Sequence, residues 1–320
     1  MNVLSLFDGM SCGRVALERA GVKVDKYYAS EVDKYAIAVS QKNYPDIVQL
    51  GDINNFIEGM WVGKTYDTLC MQQKSIDLII GGSPCQGFSF AGKQLAFDDP
   101  RSKLFFKFVE IVKFYKPKYF LLENVRMKKE YLNVITDMLG VEPICINSAL
   151  VSAQNRVRYY WTNIPNVTQP EDKGIHLKDI IERGVVDRDK SFCIDANYWK
   201  GGDLKQYFEK HRRQLVFTKN YVQYDQTGKG YKSQDQMAFY LEGKHGTVPS
   251  NNAQSKCKVL LDKQHETDKF LIRKLTPVEC ERLQTLPDNF TEGVSSTQRY
   301  KMLGNGWTVD VLAHIFKGLV

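Results

Sequence analysis

Hydrophobic positions in the first 125 residues come in short dense runs, each followed by a polar turn and then by a stretch with helical spacing. Runs over 3–7, 26–30, 47–50, 77–80 and 119–122 read as buried strands. Helical spacing is carried by 14–20, stopped by Gly21, and by 34–43, closed before Pro45. A third helix opens near Pro100, carries Leu104, Phe105, Phe108, Val109 and Val112 on one face, and ends by Pro117. Strand and helix in regular alternation predict an α/β fold with a parallel, doubly wound sheet. Ligands in such sheets bind beyond the carboxyl ends of the strands. Phe7-Asp8-Gly9, Glu31, Asp52, Pro84-Cys85 and Glu123-Asn124 all fall at those predicted ends.

Near residue 165 the pattern changes. Through 166–270 the alternation fades, and Gly, Lys, Gln, Asn and aromatic residues accumulate, as in Asn197-Tyr198-Trp199-Lys200-Gly201-Gly202. This predicts a smaller loop-rich domain inserted into the first. Order returns with Thr276-Pro277, which opens a helix carrying Val278, Cys280, Leu283 and Leu286, and an apolar tail over 309–319 reads as a last helix. The expected division is therefore 1–165 with 301–320 as one domain, 166–270 as a second, and 271–300 as the segment returning between them.

Composition narrows the class. A chain of 320 residues, 43% hydrophobic and 25% charged, can build an ample core. A net charge of +7 permits a polyanionic partner without requiring one. Seven cysteines are an odd count, and none stands in a Cys-x-x-Cys pair or a Cys/His spacing of zinc type. No run is long enough to span a bilayer, and the apolar run over 3–7, without a basic region before it or a cleavage site after it, leads us to expect no signal peptide. A reduced cytoplasmic protein is expected, with no structural metal and no membrane contact.

Candidate chemistry sits at the strand ends. The turn over 81–90, GGSPCQGFSF, presents Cys85 straight after rigid Pro84, with Gln86-Gly87 beyond it. A cysteine phosphatase would need Arg six places later, where this chain has Ala91; a cysteine hydrolase would need a nearby His, and all five lie far from these ends. Cys85 and Glu123 on neighbouring strand ends fit a nucleophile and an acid. The loop over 7–13, FDGMSCG, can seat an adenosine, with Glu31 placed for the ribose hydroxyls. Nicotinamide, flavin and S-adenosylmethionine enzymes share that arrangement. The loop is not GxGxxG, which favours a nucleoside cofactor without a diphosphate. Gln154, Arg156 and Arg158 alternate along one predicted strand face.

Taken in order, these pieces resemble the DNA (cytosine-5) methyltransferase family. The resemblance rests on Phe7-x-Gly9, Glu31, Asp52-Ile53, the Pro-Cys motif over 82–89, Glu123-Asn124-Val125, Gln154-x-Arg156-x-Arg158, the late helix over 273–284, and Gly304-Asn305-Gly306-Trp307. It covers nearly all of the chain outside the insert. The first loop departs from the family's Phe-x-Gly-x-Gly, since Ser11 stands where that pattern has its second glycine. Phe-Asp-Gly and Trp307 are similar to the family's de novo branch.

The resemblance implies a Rossmann-like S-adenosylmethionine-dependent methyltransferase domain with a target recognition domain over 166–270. The cofactor would contact Phe7, Asp8, Gly9, Ser11, Cys12, Gly13, Glu31, Val32, Asp52, Ile53, Pro84, Leu104, Asn305 and Trp307, and would leave as S-adenosylhomocysteine. The catalytic residues would be Cys85, Glu123, Arg156 and Arg158: Cys85 would add to carbon 6 of a cytosine flipped out of double-stranded DNA, Glu123 would act at ring N3, and Arg158 would hold the O2 side, with Arg156 supporting it or a phosphate. Gln86, Ser89, Lys93 and Gln94 would close over the base, and Lys244, His245, Thr247 and Val248 would read DNA. A monomer in a bacterial or phage-infected cell is expected, with a cognate restriction endonuclease as a possible companion. Alternatives on the same scaffold are a tRNA cytosine-5 methyltransferase and a catalytically silent DNA-binding homologue.

Overall fold

The computed structural model describes residues 1–55, 75–83, 103–201, 207–219, 237–240, 257–260 and 270–320. Its main sheet has seven strands. In chain order they are β1 (Asn2–Leu6), β2 (Lys26–Ser30), β3 (Val48–Gln49), β4 (Leu78–Gly81), β5 (Tyr119–Val125), β6 (Pro143–Asn147) and β7 (Val157–Thr162). Their order across the sheet is β3-β2-β1-β4-β5-β7-β6. The strands from β3 to β5 run parallel, and β7 is antiparallel to both of its neighbours.

Every central strand is buried on both faces, which explains why these runs read as continuous rather than alternating apolar segments. Val3, Leu78, Ile80 and Leu121 feed one core, with α1 (Cys12–Arg19) and the C-terminal α8 (Val309–Phe316) supplying Ala16, Leu17, Leu312 and Phe316. Leu4, Leu6, Ile79 and Leu122 feed the other, covered by Phe105, Phe108 and Ile111 of α3 (Lys103–Tyr115) and by Ile135 of α4 (Lys129–Leu139). The helix α2 (Lys34–Asn43) has the expected bounds, with the Asp33 side chain accepting from the Tyr35 N–H at its start. The doubly wound expectation therefore holds.

Several bounds differ from the sequence reading. β5 runs to Val125, so Glu123 and Asn124 lie within a strand and not in the turn after it. The cause is unequal neighbours: β4 stops pairing at Gly81 opposite Leu122, while β7 continues opposite Glu123, Asn124 and Val125. β6 and α4 were not among the expected elements, although α4 carries Tyr131, Leu132, Ile135 and Leu139 at helical spacing toward the core. The tail is helical to Phe316 and ends in a 3-10 turn, Lys317–Leu319.

The inserted region holds a short helix α5 (Leu177–Ile180) and a second sheet, in spatial order β8-β11-β10-β9. Its strands are β8 (Leu215–Lys219), β9 (Met237–Tyr240), β10 (Cys257–Leu260) and β11 (Phe270–Lys274). β11 crosses the expected boundary at 270 and leads directly into α6 (Pro277–Leu283). The start of α6 is a capping box: Thr276 Oγ1 accepts from the Glu279 N–H, and Glu279 Oε2 accepts from the Thr276 N–H. The Glu279 carboxylate also pairs with Arg273 of β11 at 2.7 Å, which ties the second sheet to the returning helix. α7 (Ser296–Asn305) follows and delivers the closing motif.

Candidate active site

Strand order reverses between β1 and β4, because the chain runs outward through β2 and β3 and then returns to the other side of β1. The crevice beyond their carboxyl ends is where a doubly wound sheet receives its ligand. The β1 end carries Phe7 to Gly13; the β4 end carries Gly82 and Ser83, which lead into Pro84-Cys85.

Among the described residues, the last three of β5 have no strand partner on the β4 side. Glu123 is buried there, with its carboxylate gripped at both oxygens. Arg158 Nε pairs with Oε1 at 2.9 Å, and Trp307 Nε1 donates to Oε2 at 3.3 Å. The register accounts for the arginine: Arg158 lies opposite Val125, diagonal to Glu123 on one face of the β5–β7 pair. A close approach accounts for the tryptophan. A Cβ on Gly82 would lie 2.8 Å from Trp307 Nε1 and 3.2 Å from Glu123 Oε2, so only glycine leaves room for both. Next along the strand, Asn124 Nδ2 donates to Ser83 Oγ at 3.1 Å and so braces the residue before Pro84.

The three polar residues of the Gln-x-Arg-x-Arg stretch divide their work. Gln154 is wholly buried and donates to the Leu283 carbonyl at 2.8 Å and to Gln284 Oε1 at 3.0 Å. Arg156, also buried, donates to the carbonyls of Gly306 at 2.8 Å, Gly304 at 3.4 Å and Ile194 at 3.3 Å. Its guanidinium thus fastens the closing motif and does not point toward the crevice. Arg158 alone of the three pairs with Glu123. The sequence reading did not pick out Cys193, whose Sγ lies 3.3 Å from Arg156 and 4.0 Å from Arg158. Burial alone would push its thiol up, but the two guanidinium groups together hold it below the ordinary range. No spacing in the sequence links 193 to 156; the isolated bridge between Gln154 and Ser191 does.

The first loop is held from two sides. Outside, Glu31 Oε2 accepts from the Gly9 N–H at 2.8 Å, while its Oε1 accepts from Val32 and Asp33. Inside, Asp8 is buried and accepts from Tyr27 Oη at 2.7 Å and from Ser11 Oγ at 2.5 Å. Burial pushes its carboxyl up to about 6, against the hydroxyls of Ser11, Ser5 and Tyr27 that favour the ionised form. Cys12 is buried as well, its thiol pushed up to about 12, which makes it a packing residue. Gly13 lets α1 lie against Ile80, Tyr27 and Trp307, and Gly306 lets the closing motif lie against Met10 and Cys12.

These residues fit a nucleoside sulfonium cofactor. Glu31 is half-buried at the rim with a carboxylate able to accept further donors, and Val32 beside it leaves an apolar side chain 69% exposed. Ile53 is buried, and Asp52 Oδ1 is used by Asn54 at 2.8 Å. Leu104 packs partly buried in the second core; Asn305 is exposed beside Trp307. Pro84, Cys85, Gln86, Ser89, Lys93 and Gln94 lie outside the described residues, as do Lys244, His245, Thr247 and Val248. Among the described residues, no helix is long and apolar enough to cross a membrane.

Comparison with known proteins meets this geometry. The family model for C-5 cytosine-specific DNA methylase matches residues 1–320. The Type II methyltransferase M1.ScrFI of Lactococcus lactis subsp. cremoris is 30% identical over 97% of this chain and 75% of its own length. The Type II methyltransferase M.HpaII of Haemophilus parainfluenzae is 29% identical over 97% of this chain and 86% of its own. Among solved structures, a mutant of Spodoptera frugiperda DNMT2 superimposes with a TM-score of 0.61 at 19% identity, covering 99% of each chain, which speaks for the shared fold alone. On this match the chain belongs to the C-5 cytosine-specific DNA methylases, enzymes that methylate cytosine in DNA.

Proposed function

We propose that this enzyme methylates carbon 5 of a cytosine flipped out of a specific double-stranded DNA sequence, through a covalent bond between Cys85 and carbon 6. The observation that carries this reading is the clamped Glu123 carboxylate on β5, next to Gly82 at the end of β4 that leads into Pro84-Cys85.

Carbon 5 is a poor nucleophile in the aromatic ring. Addition of the Cys85 thiolate to carbon 6 forms an S–C bond and moves the ring's electron pair toward carbon 5, splitting one hard step into two easier ones. Glu123, oriented by Arg158 and Trp307, holds ring N3 and offsets the charge that develops there. Arg158 also faces the O2 side, and Arg156 keeps the Trp307 segment in place from behind. S-adenosylmethionine, when bound, supplies the methyl group as an electrophile. Phe7 to Gly13, Glu31 and Val32, with Asp52, Ile53, Leu104, Asn305 and Trp307 around them, form its seat, and Pro84 fixes Cys85 beside it. Loss of the carbon 5 proton and of the Cys85 thiolate then restores the ring.

Carbon 6 is hidden inside a duplex, so the base must leave the stack at a cost of a few kcal/mol. Gln86, Ser89, Lys93 and Gln94 are assigned to the flap that covers it, and Lys244, His245, Thr247 and Val248 to the reading of base edges and phosphates. Type II relatives suggest a modification enzyme, with a companion endonuclease sharing its site.

The test is to express the chain in cells lacking cytosine methylation and sequence their DNA and tRNA for 5-methylcytosine. Methyl groups confined to one short DNA sequence, and absent with Cys85→Ala, are expected. Methylation of tRNA only, or of neither, would contradict the proposal. Glu123→Gln should lower the rate by roughly 10²-fold or more with little change in DNA affinity.

A further inference from the structure

The first loop combines three backbone conformations that disfavour side chains. Phe7, Gly9 and Ser11 have φ of 59°, 61° and 63°. Gly9 accepts that conformation freely, whereas at Ser11 the Cβ crowds the following carbonyl. Ser11 is the residue before α1, where a serine hydroxyl ordinarily caps the helix, yet its side chain makes no cap. The hydroxyl points the other way. It bonds Asp8 Oδ2 at 2.5 Å and Ser40 Oγ of α2 at 2.6 Å, and all three groups are buried. Asp8 is in turn fixed by Tyr27 Oη of β2.

We infer that the Asp8–Ser11–Ser40 chain is a positioning device, holding the methyl-donor loop in a glycine-like turn without a glycine. The inference rests on the proposed seat for S-adenosylmethionine at this loop. The hydroxyl's two bonds offset the backbone cost at position 11 and link the loop to β2 through Tyr27 and to α2 through Ser40. Within that seat the Ser11 hydroxyl acts through its neighbours, keeping the backbone from Phe7 to Gly9 in the binding conformation. Without the tether, the loop spends part of its time in other conformations, and apparent affinity falls by the fraction lost.

The experiment is calorimetric titration of the purified full chain with S-adenosylhomocysteine, which needs no turnover. Ser11→Ala and Ser11→Gly delete the same hydroxyl and differ by one methyl group. Ser11→Ala should bind about tenfold more weakly, a change of about 1.4 kcal/mol. Ser11→Gly should recover most of that loss, because glycine adopts positive φ without cost. Ser40→Ala, which cuts only the link to α2 and leaves the loop's own residues intact, should give a smaller loss. Wild-type affinity in Ser11→Ala would overturn the inference. So would equal weakness in the alanine and glycine variants, since the hydroxyl would then act directly on the ligand. A wild-type protein that does not bind S-adenosylhomocysteine would instead overturn the methyltransferase seat itself.

Discussion

Asp8 carries a carboxyl group sealed inside the first loop, and its ionisation works against folding. Burial, with Glu31 nearby, raises its pKa from 3.8 to about 6. Below 3.8 both folded and unfolded chains hold the proton, and Asp8 adds no pH dependence. Between 3.8 and about 6 the folded chain keeps a proton that the unfolded chain has lost, so stability falls as pH rises through this window. Above about 6 the whole cost is present, roughly 3 kcal/mol from a shift of about two units. Tyr27 and Cys12 face the same carboxyl, and burial pushes both upward, so neither titrates in that range. Asp8→Asn removes the titration. Its unfolding free energy relative to wild type should therefore rise by about 1 kcal/mol between pH 5 and pH 7, measured by urea denaturation at each pH. A constant difference across that range would mean that Asp8 does not titrate there.

At the scale of elements, the site depends on strands of unequal length and on glycines that let elements close up. β5 outruns β4, which leaves Glu123 beside Gly82 at the end of β4; Gly82 admits Trp307; Gly304 lies so close to the Asp195 backbone that a Cβ would collide with its carbonyl. Arg156 fixes this closure, because one guanidinium reaches the carbonyls of Ile194, Gly304 and Gly306. Lysine has a single ammonium and cannot span them. Arg156→Lys should lower unfolding free energy by about 2 kcal/mol, as buried carbonyls lose their donors, and chemical denaturation measures this directly. An unchanged midpoint would show that the closing motif does not rely on it. The sequence showed the strand ends well, since each is an apolar run broken by a turn. It did not show that Gln154 and Arg156 brace the fold while Arg158 faces Glu123. Alternation alone puts all three on one side, and only the partners across space separate them.

For the whole molecule, two sheets are joined by the stretch over 270–283, whose β11 belongs to the second sheet and whose α6 packs Cys280 and Leu283 into the core of the first. The parallel sheet was legible because its strands are buried on two faces and its helices on one, a contrast that survives in a single sequence. The second sheet was not. β8 to β11 are strands of four or five residues separated by long polar stretches, too short for a period to declare itself. Cys193 was equally hidden, since nothing near it in sequence marks the two arginines it meets. The expectation that 166–270 selects the DNA sequence can be tested by grafting it onto a related enzyme of known specificity. The chimera should acquire this enzyme's methylated sites; one that folds, methylates and keeps its parent's site would place the readout elsewhere. The central claim, that Cys85 attacks carbon 6 of a cytosine in DNA, has a more direct test. Fluorine at carbon 5 cannot leave as a proton does, so after methyl transfer the Cys85–carbon 6 bond cannot be resolved. Duplex DNA carrying 5-fluorocytosine at the target, mixed with enzyme and S-adenosylmethionine, should give an adduct that survives denaturing electrophoresis and maps by mass spectrometry to the peptide containing Cys85. An adduct on another residue, or one that persists in Cys85→Ala, would contradict the account.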